Sequence, residues 1–176
     1  METSQKLFMH DLIAEILSLE KNKVITANQT APKPTKTYCT LRYYSHGPEI
    51  MGEQRSTSTA GIVNVFTSNT CMLEIQMYAN TGTDACSELN KVVNAFDRES
   101  VQQRCKANYI AIADSNTVQD ITALLDNATW EIRASVEIEI RYNTELTDDV
   151  GYVDTVTMQS TVNNLPTQTI TVTGGE

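Results

Sequence analysis

The chain has 176 residues, 40% hydrophobic and 20% charged, with a formal net charge of −9 at pH 7. That length and balance suit one domain with a substantial core, and the acid excess, which also serves solubility, argues against a basic patch for gripping phosphate. Four cysteines without CxxC spacing and only two histidines, His10 and His46, argue against a zinc or iron–sulfur centre; no signal peptide is visible and no apolar run is long enough to cross a membrane, so Cys39, Cys71, Cys86 and Cys105 are expected as free thiols in a reducing cytosol.

Residues 4–20 place Leu7, Phe8, Leu12, Ile13, Ile16, Leu17 and Leu19 at helical spacing, with Ser4 as the expected N-cap. Val24 to Ala27 then reads as a short strand. Asn28 to Thr37 carries Pro32 and Pro34, which lack N–H donors and bias their predecessors toward extended geometry, so a stiff extended crossing is expected. Tyr38 to Ser45 is a second strand, with Cys39, Leu41 and Tyr43 on one side and Tyr38, Thr40, Arg42 and Tyr44 on the other. Rings on both sides imply that both are at least partly covered. Residues 47–55 read as a loop, and residues 61–66 and 71–78 as a hairpin turning at Ser68-Asn69. Thr83 or Asp84 should cap a second helix with the stripe Ala85, Cys86, Leu89, Val92, Val93 and Phe96. One or two helical turns over 101–106 and a short strand over 109–113 follow, and 118–125 is ambiguous between strand and helical turn.

Trp130 to Asn143 is the largest element. Its even positions, Trp130, Ile132, Ala134, Val136, Ile138, Ile140 and Tyr142, are apolar, and its odd positions, Glu131, Arg133, Ser135, Glu137, Glu139, Arg141 and Asn143, are polar. Side chains alternate across a strand, so this is one long strand with a dry face and a charged face. Two amphipathic helices on the dry side of an antiparallel or mixed sheet define an α+β fold, expected over residues 1–145. Residues 146–176 read as an extension, first acidic and turn-rich, then rich in threonine. Thr167 to Thr173 alternates but offers only Ile170 and Val172 as apolar anchors. It is expected as a disordered tail or as an arm on a sheet edge of another subunit.

Residues for catalysis are not evident. GxSxG, Walker A and GxGxxG motifs are all missing, and neither histidine lies near a nucleophile elbow. Asp148, Asp149 and Asp154 lack the register of a calcium loop. Glu137 and Glu139 share a strand face, as an acid–base pair would. Arg133 and Arg141 sit on that face too, which favours a surface or interface charge ladder. No cofactor and no enzymatic activity are expected.

Asn28-Gln29 followed by Ala31-Pro32 and Pro34, then Tyr38 with Thr40-Leu41, and finally Trp130-Glu131 with Arg133-Ala134, stand in the order helix, proline-rich crossing, strand, helix, long strand. This combination resembles the phage neck terminator, or tail terminator, proteins over roughly residues 6–145. The stretch from Gly47 to Thr70 looks longer than usual, and the threonine-rich end beyond Glu145 finds no counterpart. The resemblance implies a structural virion protein of the tail or neck, assembled in the host bacterial cytoplasm. Copies would form a ring, commonly a hexamer, that caps the tail tube and stops its polymerisation. The implied partners are further copies, the tail tube protein, a neck or head–tail connector protein and, in a contractile tail, the sheath. DNA would pass through the lumen without specific binding, and no membrane is involved. Glu137, Glu139, Arg141, Asp148 and Asp149 are then candidates for the lumen or a subunit interface. The alternatives are another neck connector or tube-like ring subunit, or a small enzyme.

Overall fold

The period-two alternation of three long strands decides the architecture. The computed structural model describes residues 1–28, 34, 37–49, 52–125, 129–152, 155–160 and 168–173. In chain order these form α1 (Thr3–Ile16), a 3-10 turn (Lys21–Lys23), β1 (Val24–Thr26), β2 (Tyr38–Pro48), β3 (Glu53–Ser56), β4 (Ile62–Ala79), α2 (Ala85–Phe96), α3 (Glu99–Ala107), β5 (Ile110–Ser115), β6 (Gln119–Asp120), β7 (Ala123–Leu125), β8 (Thr129–Asp149), β9 (Thr155–Ser160) and β10 (Gln168–Thr173). The main sheet has the order β1-β2-β4-β8-β5, with β3 on β4 and with β6 and β7 on β8. β1 pairs with β2 in parallel, whereas the β2–β4, β3–β4, β5–β8, β6–β8 and β7–β8 ladders are antiparallel, so the sheet is mixed and the fold is α+β. Contacts gather into two units, Met1–Met51 with Thr67–Thr144, and Gly52–Phe66 with Glu145–Glu176.

In the larger unit the dry face comes from Cys39 and Leu41 of β2, from Cys71, Leu73, Ile75 and Met77 of β4, and from Ala134, Val136, Ile138, Ile140 and Tyr142 of β8, all buried. Met9, Leu12 and Ile13 of α1, Leu89, Val92 and Phe96 of α2, and Val101 and Cys105 of α3 join the same core. Three helices therefore cover the sheet: the two with apolar stripes, and α3 where one or two helical turns over 101–106 are expected. Apolar burial of this kind is the main favourable term in folding. Cys39, Cys71 and Cys105 are packed as small apolar groups, and burial pushes their thiols above the ordinary range.

The helix ends follow local chemistry. Glu2, not Ser4, is the N-cap of α1: the Glu2 backbone N–H donates to Gln5 Oε1 at 3.0 Å, and Ser4 lies within the first turn. The helix stops at Ile16 rather than near residue 20 because Ser18 takes a left-handed φ of 52°. Ser18 N–H then donates to the Glu15 carbonyl at 3.1 Å and Leu19 N–H to the Ala14 carbonyl at 2.9 Å, closing a Schellman motif. For α2 the cap is Asp84, whose carboxylate accepts from Cys86 N–H at 3.0 Å and Ser87 N–H at 3.2 Å.

Several expectations change. The hairpin over 61–78 is one 18-residue strand. Ser68 and Asn69 favour turns, but here the ladder to β2 takes their backbone, with Pro48 opposite Asn69 and Glu49 N–H donating to the Ser68 carbonyl at 2.9 Å. The loop over 47–55 includes the end of β2 and most of β3, and β3 pairs with β4 from Glu53↔Phe66 to Ser56↔Val63. The acidic stretch after Asn143 continues as β8 up to Asp149. The ambiguous stretch 118–125 contains two short strands, β6 and β7. Trp130 keeps the strand alternation but not the burial: it is 65% exposed and stands opposite Leu124 of β7, itself exposed, and full burial begins only at Ala134. The alternation near residue 170 is a strand, yet β10 pairs with β9 of its own chain. Most of the proline-rich crossing lies outside the described residues.

Candidate assembly face

The sheet face of the larger unit opposite the helices carries the polar side chains of the same strands. Glu74 of β4 is the hub. Its Oε1 accepts from Gln76 Nε2 at 2.6 Å and from Ser135 Oγ at 3.5 Å, and its Oε2 meets Arg42 Nη1 at 3.5 Å. Gln76 Oε1 in turn accepts from the Tyr78 hydroxyl at 3.0 Å. Tyr78 stacks on Tyr38 at 4.5 Å with 6° between the ring planes, and the Arg133 guanidinium lies 5.7 Å from the Tyr78 ring centre. Glu137 accepts from the Tyr44 hydroxyl and, at 3.1 Å, from Asn116 Nδ2. That hydrogen bond to Glu137 raises the Tyr44 pKa to about 12, so the phenol keeps its proton and stays a donor through the physiological range. Two clefts flank Glu74, of ≈ 240 Å³ toward Ala27, Asn28 and Thr40 and of ≈ 230 Å³ toward Asn116, Gln119 and Ile121.

The spacing along β8 places Glu137, Glu139 and Arg141 on this face as expected. Arg141 Nη2 pairs with Glu49 Oε1 at 3.1 Å, and its Nε stands 3.9 Å from Glu139 Oε1. Glu131 and Arg133 face each other at 3.5 Å. Tyr38 and Arg133, far apart in sequence, meet through Tyr78. Leu41 lies in the core on the other side of the sheet, and Trp130 is exposed. Asn28 adopts a left-handed φ of 63° beside the first cleft, and Pro34 is half-buried. Gln29, Ala31 and Pro32 lie outside the described residues. Asp148 and Asp149 are exposed in the smaller unit, where Asp149 Oδ1 accepts from Gly151 N–H at 3.1 Å.

Sequence reasoning missed the hub. Glu74 and Gln76 alternate with Leu73, Ile75 and Met77, so a polar face on β4 was readable. The partners of Glu74 on β2 and β8, Arg42 and Ser135, depend on strand order, which one sequence does not encode in any local pattern.

Chemically, Glu74 and Glu137 are engaged by hydrogen-bond donors, and among the described residues no three histidine, cysteine or acidic side chains cluster as a metal site. Such a face holds its charges and dipoles in a fixed hydrogen-bond network. The chain matches the family model of the phage neck terminator protein over residues 7–168, nearly its whole length, and it belongs to that family. It is a structural protein of the phage neck and a virion component. The match runs past Glu145 and through β9, so residues 146–168 do have a family counterpart. No curated protein matches the chain.

Proposed function

We propose that the chain forms a closed ring, of six copies, that caps the tail tube, ends its polymerisation and joins the tail to the head through a connector protein. The sheath is a further neighbour in a contractile tail. The observation that carries this reading is the polar sheet face of β2, β4 and β8, opposite the helices, in a chain of the neck terminator family, with its polar groups fixed by the network around Glu74 and Glu137. A face held this rigidly docks without paying much ordering entropy. The protein acts by assembly, without a reaction of its own. Electron microscopy of the purified chain tests the reading: closed rings that bind one end of tail tubes and stop their growth are expected. Filaments of the chain alone would instead make it a tube-like subunit and overturn the cap.

Charge bears on the lumen. From Glu131 to Asp154 seven acids stand against two bases, a net −5 of the chain's −9. Several of these acids, with Glu137, Glu139, Asp148 and Asp149 foremost, line or rim the channel in this reading, and the base Arg141 lies beside them. They repel phosphate over about a Debye length, about 8 Å at physiological salt, so the duplex slides without sticking. The assembled ring is expected to show no measurable affinity for duplex DNA in a low-salt titration. Tight binding that weakens steeply with added salt would sink the acidic-lumen assignment.

A further inference from the structure

Among the described residues of the smaller unit β9 and β10 pair only with each other, with Val156 opposite Val172 and Met158 opposite Ile170. Period-two geometry puts these four side chains on one face, and they are 45%, 55%, 54% and 56% exposed. An isolated two-stranded ribbon is marginal in water, so a bare apolar face of this kind lacks its support. Across residues 155–173 there is no ionisable side chain, in a chain that is 20% charged. Burying this ribbon therefore desolvates no charge, which matches the charge-depleted centre of protein interfaces.

The larger unit carries an apolar pair of its own. Trp130 and Leu124 stand opposite each other on β8 and β7, 65% and 46% exposed. A tryptophan with an aliphatic neighbour is the residue type that anchors interfaces. One copy thus presents two different apolar patches, and both remain exposed. When two different surfaces of a chain recognise each other between copies, the contact is head-to-tail, and its repetition gives a ring where the rotation closes.

We propose that the apolar face of the β9–β10 ribbon packs on Trp130 and Leu124 of a second copy of this chain. The proposal rests on the ring reading and names the contact that would build it. The test uses two full-length variants, Ile170→Asp, which spoils the ribbon, and Trp130→Ala, which spoils the anchor. Both positions are exposed, and circular dichroism checks that each variant folds; Val172→Asp replaces Ile170→Asp if that variant does not. In analytical ultracentrifugation each variant alone is expected as a monomer, its self-association weakened by about thirtyfold or more. An equal mixture is expected as a discrete dimer, since the intact anchor of the first accepts the intact ribbon of the second and growth ends there. Rings that persist in either variant would overturn the contact while leaving the ring standing. A mixture that stays monomeric would overturn it as well. A wild-type chain that is monomeric at all concentrations would also overturn it, whereas capping is scored independently on tail tubes.

Discussion

Ile138→Ala destabilises the larger unit by about 2–5 kcal/mol, the range for truncating a fully buried aliphatic side chain. Ile138 is 0% exposed, sits in the central strand β8 with Ser115 of β5 opposite, and belongs to the core shared by sheet and helices. Its neighbours are held by sheet hydrogen bonds on one side and by three helices on the other, so they can close the cavity only in part. Chemical denaturation of the wild type and the variant measures the loss, and an unchanged midpoint would remove Ile138 from the core. Glu139, the next residue, serves as control. It points to the opposite face with its side chain 38% exposed, and Glu139→Ala should cost no more than about 1 kcal/mol in the monomer.

Gln5→Glu produces a loss that depends on pH. Gln5 is 5% exposed, and its amide does three things: Oε1 accepts from Glu2 N–H at 3.0 Å, and Nε2 donates to the Asn143 carbonyl at 3.2 Å and the Asn108 carbonyl at 3.3 Å. A glutamate of the same shape aims a carboxylate oxygen at those two carbonyl oxygens. Burial and the facing lone pairs disfavour its charge, so its folded pKa rises above the ordinary value of about 4.3. A raised pKa means that stability is retained below the unfolded value and is lost as pH climbs through the folded one. At pH 7 the variant should be weaker than wild type by about 4 kcal/mol, of which about 3 come from a pKa raised by about two units and the rest from the lost donor. Near pH 4 most of this returns, leaving about 1 kcal/mol because a protonated carboxyl has one donor where the amide had two. Urea melts at both pH values decide the matter; a deficit that does not change with pH would refute the role given to the amide.

Where a pattern was local and repetitive, it could be read. The seven alternating pairs of Trp130 to Asn143 located the strand that organises the sheet, and the spacing of Leu89, Val92 and Phe96 located α2. Where the outcome depended on a partner distant in sequence, it could not. Ser68-Asn69 has turn chemistry, but β2 lies alongside and supplies a ladder. Trp130 continues the same apolar row as Ile138, yet it stands before the buried stretch that begins at Ala134, and its opposite number is the exposed Leu124. Thr155 to Thr173 offers too few apolar residues to predict a domain, and the structure makes of its ends a ribbon rather than a core. Of the assembly face, the row along β8 was legible and the hub at Glu74 was not, because its hydrogen bonds join three strands that are neighbours only after folding.

The packing of the cysteines bears on chemical durability. A virion component leaves the reducing interior of a cell and must persist in air. Oxidation and alkylation proceed through the thiolate, and burial holds Cys39, Cys71 and Cys105 in the protonated form, out of reach of peroxide and of one another's solvent-borne adducts. Cys86, only half-buried at the start of α2, is held protonated as well, by burial and by the nearby carboxylates of Asp120 and Asp84. All four thiols are free, without a disulfide, and the three buried ones are exposed to reagents only when the core opens.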